Sequence, residues 1–185
     1  RTERGVAVDV LPADLTQQAD LAAVEARLRD DARIGILINN AGMAQSGGLL
    51  QQDGDSIDRL IALNVTALTR LAAAVAPRFA QSGAGSIVNI GSVVGFAPEL
   101  GMTTYGATKA FVLSLTEALH EELKPHGIKV SCLCPGPTRT EFGEVAGFGG
   151  NGAFDRLAMG AAEVVEIGLK GLDRNKAVVI AGTFN

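Results

Sequence analysis

The sequence has few of the residues that mark several classes of protein. Its 185 residues include no tryptophan, one tyrosine, two histidines and two cysteines. There is no run of five basic residues and the net charge is −4, so nucleic acid is not expected as the main partner. No apolar stretch reads as long enough to span a bilayer, and no signal-peptide pattern opens the chain. We therefore expect neither a membrane segment nor an export signal.

The scarce cysteines and histidines exclude two further kinds of site. Cys132 and Cys134 stand two apart in an apolar run. In a strand they point to the same side, and they are not expected to form a disulfide. His120 and His126 lack the spacing of metal ligands, so no metal site is predicted. This usage is typical of a reducing cytoplasm.

Apolar residues make up 47% of the chain, enough for a substantial core. Short apolar runs predict strands at 5–11, 34–40, 85–91, 128–134 and 176–181. Several are apolar almost throughout, which favours a parallel sheet covered on both faces.

Longer amphipathic stretches alternate with the strands and predict helices at about 17–29, 55–81, 103–124 and 161–172. Pro77 is expected to bend or loosen the end of the second helix. Pro125 and Gly127 are expected to end the third. The alternation predicts an α/β fold, a Rossmann-like doubly wound parallel sheet in three α/β/α layers, with residues 1–185 as one domain.

A glycine-rich segment, 137–160, interrupts this alternation. It carries four bulky apolar residues, Phe142, Phe148, Phe154 and Met159. A long loop of this kind is more often a functional flap than a plain connector, and its apolar residues would suit an apolar substrate. The alternative is a surface loop without contacts.

Isolated polar residues stand at positions where apolar or turn residues are the norm. Asn64 interrupts the apolar stripe of the second helix, either to make a structural hydrogen bond or to serve a site. Ser92 follows the strand at 85–91, at the end where ligands bind in open α/β sheets, although a turn-forming serine is common there.

Two further strand ends have the same character. The sequence Asn-Asn-Ala-Gly at 39–42 follows a strand and reads either as a ligand-binding turn or as an ordinary one. The segment 135–142, Pro-Gly-Pro-Thr-Arg-Thr-Glu-Phe, follows another strand, and Thr138 and Thr140 offer hydroxyl groups to a ligand. Its alternative is the start of a loop.

Tyr105 and Lys109 lie four residues apart on the predicted third helix and share a face. Alone, they could be a surface tyrosine beside a solvated lysine.

The sequence as a whole resembles the short-chain dehydrogenase/reductase family. The resemblance is carried by an ordered set of motifs: Asn-Asn-Ala-Gly, helix Asn64, Ser92, Tyr-x-x-x-Lys and Pro-Gly-x-x-x-Thr. The interval from Ser92 to Tyr105, 105 − 92 = 13 residues, fits the same pattern. The segment 89–95, Asn-Ile-Gly-Ser-Val-Val-Gly, is similar to that of ketoacyl-carrier-protein reductases in the classical branch.

The resemblance implies a hydride transfer between a nicotinamide and a carbonyl or alcohol carbon, with NADP or NAD as cofactor. It assigns Tyr105 as the acid/base and Lys109 as the group that lowers the pKa of Tyr105 and holds the cofactor ribose. Ser92 would hydrogen-bond the substrate oxygen, and Asn64 would anchor a water that passes protons from Lys109. An ammonium about 4 Å from the phenol, at an effective dielectric of ~20, would lower its pKa by ~3.

The remaining cofactor contacts also follow from the resemblance. Asp14 and Leu15 would lie by the adenine. Asn40, Ala41 and Gly42 would follow the adenosine ribose and phosphates. The nicotinamide would be framed by the residues after the fourth predicted strand, Pro135, Gly136 and Thr138.

The family's opening strand–helix–strand unit, with its glycine-rich pyrophosphate turn, is not in this sequence. Such a unit takes about 30 residues or more, and it normally chooses between NAD and NADP, so that choice is left open. We expect the sequence to omit parts of the protein; the alternative is a truncated, non-catalytic remnant or scaffold. The family also implies a homo-oligomer, dimer or tetramer, with small residues on its second and third helices, and a small-molecule carbonyl or alcohol substrate.

Overall fold

Four short apolar strands form a parallel sheet in the computed structural model, which describes residues 5–45, 47–97, 101–141 and 158–182. In the order in which they pair, the strands are β1 (Ile36–Asn39), β2 (Gly85–Ile90), β3 (Ile128–Pro135) and β6 (Val178–Ala181). Leu37 lies opposite Ile87, and Ile87 opposite Val130. These three side chains are buried, as the near-continuous apolar runs require. The predicted parallel sheet is confirmed.

Helices alternate with these strands along the chain. They are α1 (Gln18–Asp30), α2 (Gly54–Ile61), α3 (Leu68–Ser82), α4 (Thr103–Leu123) and α5 (Ala161–Asp173). A short parallel pair, β4 (Thr138–Arg139) with β5 (Met159–Gly160), stands apart from the main sheet. All four predicted helical regions are confirmed, and Gly127, with φ +73°, ends the 3-10 turn after α4 as expected.

The helices cover both faces of the sheet and make three layers. On one face, Leu71, Val75 and Phe79 of α3 pack with Ile87 and Val130. On the same face, Val112 of α4 packs with the cysteines of β3. On the opposite face, α5 packs on β3 and β6. The three-layer α/β/α prediction is therefore confirmed.

The second predicted helix contains an irregular turn, at a place that the sequence did not indicate. A π-helical turn at Ala62–Ala67 joins α2 to α3, and Asn64 lies within it. Pro77 lies inside α3, which continues to Ser82. Because a π turn inserts an extra residue, it changes the direction of the side chains around Asn64.

This composite helix also corrects the expectation that no apolar stretch reaches membrane-span length. It runs for 29 residues, Gly54–Ser82, with a mean hydropathy of 1.5 in its most apolar window. By length and composition it could cross a bilayer, and core helices of globular domains meet the same criterion. Here Leu60, Val75 and Phe79 are almost fully buried in the fold.

The predicted strand at 5–11 is absent from the fold. Residues 5–14 form neither helix nor strand, and Val6 and Val10 are 61% and 63% exposed. The prediction was wrong because alternating apolar residues specify a strand only where another strand pairs with them. Among the described residues the sheet ends at β1, with Ile36 and Ile38 half exposed.

Candidate active site

Three strands of the sheet end side by side, and each is followed by a segment singled out in the sequence. Asn40 follows β1, Gly91 and Ser92 follow β2, and Gly136 follows β3. The ends of β2 and β3 are held together by a hydrogen bond from the Gly91 N–H to the Leu133 carbonyl, 2.7 Å. Parallel strands place their carboxyl ends at one edge, which is where ligands bind in this type of sheet.

Ser92 and Tyr105 are joined by a side-chain hydrogen bond. Ser92 also accepts a hydrogen bond from the Val94 N–H at 3.3 Å, at the start of a short 3-10 turn. The turn-forming reading of Ser92 is therefore correct, and its contact with substrate stays a prediction. Tyr105 lies in the first turn of α4 and is 6% exposed. The geometry brings together two hydroxyl groups that are thirteen residues apart in sequence.

Lys109 lies one turn further along α4 and is also buried. Its Nζ donates a hydrogen bond to the Ile90 carbonyl at 2.7 Å and lies 5.7 Å from the centre of the Tyr105 ring. Burial lowers the pKa of Lys109 to about 8, and the charge of the neighbouring Cys132 and Cys134 opposes that shift. This lysine is not the solvated surface residue of the alternative reading.

The balance of effects on Tyr105 differs from the sequence argument. Burial raises the pKa of Tyr105, and the hydrogen bond with Ser92 lowers it only in part. Proximity to Lys109 was expected to dominate, and in this structure that expectation was wrong. Nζ of Lys109 lies 5.7 Å from the centre of the Tyr105 ring and donates to the Ile90 carbonyl, and desolvation of the phenol is the larger effect.

Asn64 uses its side-chain amide to fix the loop after β1. Its Nδ2 donates to the Met43 carbonyl at 2.8 Å, and its Oδ1 accepts from the Met43 N–H at 2.9 Å. Nδ2 also donates to Thr108 Oγ1 at 3.1 Å. The structural reading of Asn64 is thus correct for its side chain, and its predicted water-holding role stays a prediction.

Thr108 was missed in the sequence, although it lies between Tyr105 and Lys109. Its hydroxyl donates to the Tyr105 carbonyl at 2.7 Å and accepts from Asn64. Its position on the same helical face as Tyr105, three residues on, was the signal that could have found it.

A buried polar chain connects two strands beneath the site, and the parts of Asn89 and Thr116 in it were missed in the sequence. Asn39 donates to Asn89 Oδ1 at 2.9 Å, and Asn89 donates to Thr116 Oγ1 at 2.9 Å. Asn39 donates further to the Leu68 carbonyl. Asn39 and Asn89 face each other in the β1–β2 register, so two asparagines in apolar strands were the available sequence signal.

Gly42 lies where the Asn64 and Lys109 side chains converge. A Cβ on Gly42 would lie 3.3 Å from Asn64 Oδ1 and 3.8 Å from Lys109 Nζ. Asn40 and Ala41, just before it, are exposed at the strand end. Of the three N–H donors on Lys109, one is donated to Ile90, which leaves donors for ligand hydroxyl groups. This donor set fits the ribose of a nicotinamide dinucleotide.

The other predicted cofactor residues fall into two groups. Pro135 ends β3, Gly136 follows it, and Thr138 begins β4. The Gly136 N–H donates to the Ala181 carbonyl, and Thr138 Oγ1 donates to the Gly136 carbonyl. Asp14 accepts hydrogen bonds from Thr16 before α1, which hold the pKa of Asp14 below its usual value. Leu15 packs against the core. The structure assigns these two residues a turn and a packing contact, and their adenine contacts stay predictions.

The predicted flap is described only at its base, where Thr138 pairs with Met159. Met159 is partly buried and packs against the cluster between the sheet and α5, and its contact with substrate stays a prediction. Phe142, Phe148 and Phe154 lie outside the described residues.

Together, the fold and site define an α/β dinucleotide-binding domain with a Ser–Tyr–Lys group at its strand ends, in which the tyrosine and lysine are buried. The sequence model of the family described as short chain dehydrogenase matches residues 1–147. The chain belongs to this family.

Similar proteins agree with this assignment. The chain is 63% identical to a short-chain dehydrogenase from Sphingobium yanoikuyae solved in complex with NADPH, with a TM-score of 0.90 over 96% of this chain and 69% of that one. It is 58% identical to a bulky-bulky ketone specific alcohol dehydrogenase from Comamonas testosteroni, with a TM-score of 0.84 over 96% and 67% of the two chains.

Curated relatives are more distant. The oxidoreductase UcpA of Escherichia coli is 35% identical over 143 residues, which are 76% of this chain and 54% of that protein. The 3-oxoacyl-acyl-carrier-protein reductase FabG of Vibrio harveyi is 33% identical over 126 residues, 66% of this chain and 52% of that protein. The chain thus spans about half the length of these curated relatives.

Proposed function

We propose that this chain carries the proton-transfer site of an NAD(P)-dependent oxidoreductase that interconverts a ketone and a secondary alcohol. The observation that carries the proposal is the hydrogen-bonded Ser92–Tyr105 pair with buried Lys109 one helical turn away. A nicotinamide cofactor supplies the hydride. No observation favours the non-catalytic remnant.

In the reduction direction, the Tyr105 hydroxyl donates its proton to the oxygen that forms at the carbonyl carbon. Ser92 donates a hydrogen bond to the same oxygen and so fixes its distance from Tyr105. Burial holds Tyr105 protonated, which suits a general acid, and leaves Lys109 as the adjacent cation that stabilises the phenolate after transfer. Lys109 and Gly42 would hold the cofactor ribose, and Pro135, Gly136 and Thr138 would frame the nicotinamide.

For the substrate we propose a ketone with two bulky substituents, and for the cofactor NADPH. The support is the 58% identity with the bulky-bulky ketone specific enzyme and the 63% identity with the dehydrogenase solved with NADPH. We further propose a cytoplasmic homo-oligomer, a dimer or tetramer.

The test is to follow nicotinamide absorbance with the purified protein, NADPH or NADH, and a matched series of small and bulky ketones. We expect turnover of a bulky diaryl or aryl-alkyl ketone with NADPH and a loss of turnover in Tyr105→Phe. A protein that binds neither nicotinamide in a fluorescence titration would be the remnant instead. Light scattering gives the oligomeric state.

A further inference from the structure

The two cysteines of the sequence form a closed pair beneath the active site. Cys132 and Cys134 project from the same face of β3, and their sulfur atoms lie 3.5 Å apart. Both side chains are fully buried, against Val112 of α4. Their function is not explained by the proton-transfer site.

The pair contacts the backbone that carries Ser92. A Cβ on Gly91 would lie 2.7 Å from one sulfur and 2.9 Å from the other. A glycine is thus needed at position 91, and any atom inserted beside both sulfurs presses on this backbone.

The two thiols are not equivalent. The hydrogen bond between the two sulfurs lowers the pKa of Cys132 and raises that of Cys134, whereas the charge of Lys109 lowers both. The pair therefore combines a nucleophilic sulfur with a sulfur that retains its proton.

The 3.5 Å distance between the two sulfur atoms indicates which kind of electrophile could bind both of them. A disulfide needs an S–S distance of about 2 Å, so both strand positions would have to shift. Trivalent arsenic makes two S–As bonds at nearly a right angle and holds two sulfurs close to the spacing seen here. Among the described residues no group of three or more His, Cys, Asp or Glu side chains could hold a metal ion, which disfavours tetrahedral zinc.

We propose that Cys132 and Cys134 form a dithiol site for trivalent arsenic, and that its occupation inactivates the enzyme by displacing Gly91 and Ser92. In the step with arsenous acid, two S–As bonds form and two As–OH bonds break. Each released hydroxide takes one thiol proton and leaves as water, the third hydroxyl stays on arsenic, and no atom changes oxidation state.

Displacement of the Gly91 backbone affects the proton-transfer site through Ser92. Ser92 follows Gly91 directly and shares a hydrogen bond with Tyr105. A shift of the Gly91 backbone therefore separates the two hydroxyl groups. The loss of activity rests on the proposed function, whereas arsenic binding does not.

The experiment treats the native, reduced protein with arsenous acid, followed by gel filtration and arsenic analysis. We expect about one arsenic per chain, released by a small dithiol and not by a monothiol. Cys132→Ala and Cys134→Ala are the matched single-thiol controls. Their retention should be about a hundredfold weaker, because the second S–As bond no longer forms within one molecule. Equal retention in either variant, or uptake by the unfolded protein alone, would overturn the site.

The link to Ser92 has its own readouts. Tyr105 is the single tyrosine of a sequence without tryptophan, so its fluorescence reports the Ser92–Tyr105 contact without any need for turnover. We expect arsenic to change this emission in parallel with a loss of ketone reduction, and a dithiol to reverse both. Bound arsenic with unchanged Tyr105 emission would contradict the displacement.

Discussion

The Lys109 ammonium donates a hydrogen bond to the carbonyl oxygen of Ile90, the last residue of β2, over 2.7 Å. This bond ties the helix that carries Tyr105 to the strand that leads into Ser92. It also keeps a cation buried, at a cost that lowers the pKa of Lys109 to about 8. Relative to its ordinary value of 10.5, that cost is about 3 kcal/mol.

We expect the stability of the protein to rise with pH between about 8 and 10. In this window the folded state has lost the Lys109 proton while the unfolded state keeps it. The unfolded state then binds more protons, so the free energy of unfolding increases with pH. Above about 10 the raised pKa of Tyr105 acts in the opposite direction.

The measurement is urea denaturation at several pH values, with Lys109→Met as the test variant. Lys109→Met should lose the rise, should be no less stable than the parent at pH 7, and should lose about a hundredfold in turnover. Lys170→Met, at an exposed position of α5, is the matched control and should keep the rise. If the free energy of unfolding of Lys109→Met still rises between pH 8 and 10, a group other than Lys109 is responsible for the rise.

Tyr105→Phe should lose nearly all turnover while nicotinamide binding survives. The substitution removes the hydroxyl that donates the proton and leaves the ring in its buried position. Steady-state kinetics and a nicotinamide fluorescence titration separate the two effects. Ser92→Ala should reduce turnover less, because Tyr105 remains to supply the proton. If Tyr105→Phe turns over substrate as fast as the parent protein, Tyr105 is not the general acid.

Thr108→Val should loosen the connection between Asn64 and α4. The substitution removes the hydroxyl oxygen that accepts a hydrogen bond from the Asn64 amide. The buried N–H donor that loses this partner should lower the free energy of unfolding by about 1–3 kcal/mol. We expect lower stability and a raised KM for the nicotinamide cofactor, because Asn64 holds the loop at Met43 beside Gly42. Thr108→Ser keeps the hydroxyl and should restore both. If the serine variant is as impaired as the valine one, packing rather than hydrogen bonding explains the effect.

The sequence predicted those parts of the fold that a local pattern specifies. Runs such as 85–91 and 128–134 are apolar because both faces of the strand are covered, and no alternative structure explains such runs as well. The candidate site could be predicted as an ordered motif, and the structure does bring Asn64, Ser92, Tyr105 and Lys109 together.

What failed depends on contacts between distant residues. The strand predicted at 5–11 has the right alternation, but no other strand pairs with it among the described residues. The raised pKa of Tyr105 reflects how deeply α4 is buried, which no sequence spacing records. Gly91 reads as an ordinary turn glycine until Cys132 and Cys134, some forty residues on in the sequence, are placed against it.

Gly91→Ala should be destabilising, and its effect should depend on the cysteines. The new methyl group would lie 2.7 Å from Cys132 Sγ and 2.9 Å from Cys134 Sγ, closer than atoms in van der Waals contact. Overpacking of this kind costs about 1–3 kcal/mol. The displaced backbone carries Ser92, so turnover should fall with stability.

The double variant Gly91→Ala/Cys132→Ala tests this contact directly. Removal of the nearer sulfur makes room for the new methyl group, so the double variant should be more stable than the sum of the two single changes predicts, by about 1 kcal/mol. Gly54→Ala is the matched control, because a Cβ there meets nothing within 4 Å and alanine favours the helix α2 that begins at this residue. Denaturation curves of the four proteins in the cycle, together with Ser92-dependent turnover, measure the coupling. If the changes in the free energy of unfolding are strictly additive, the backbone at Gly91 moves to accommodate the methyl group without contact with the sulfurs. The close packing of Gly91 on the two cysteines would then make no contribution to stability.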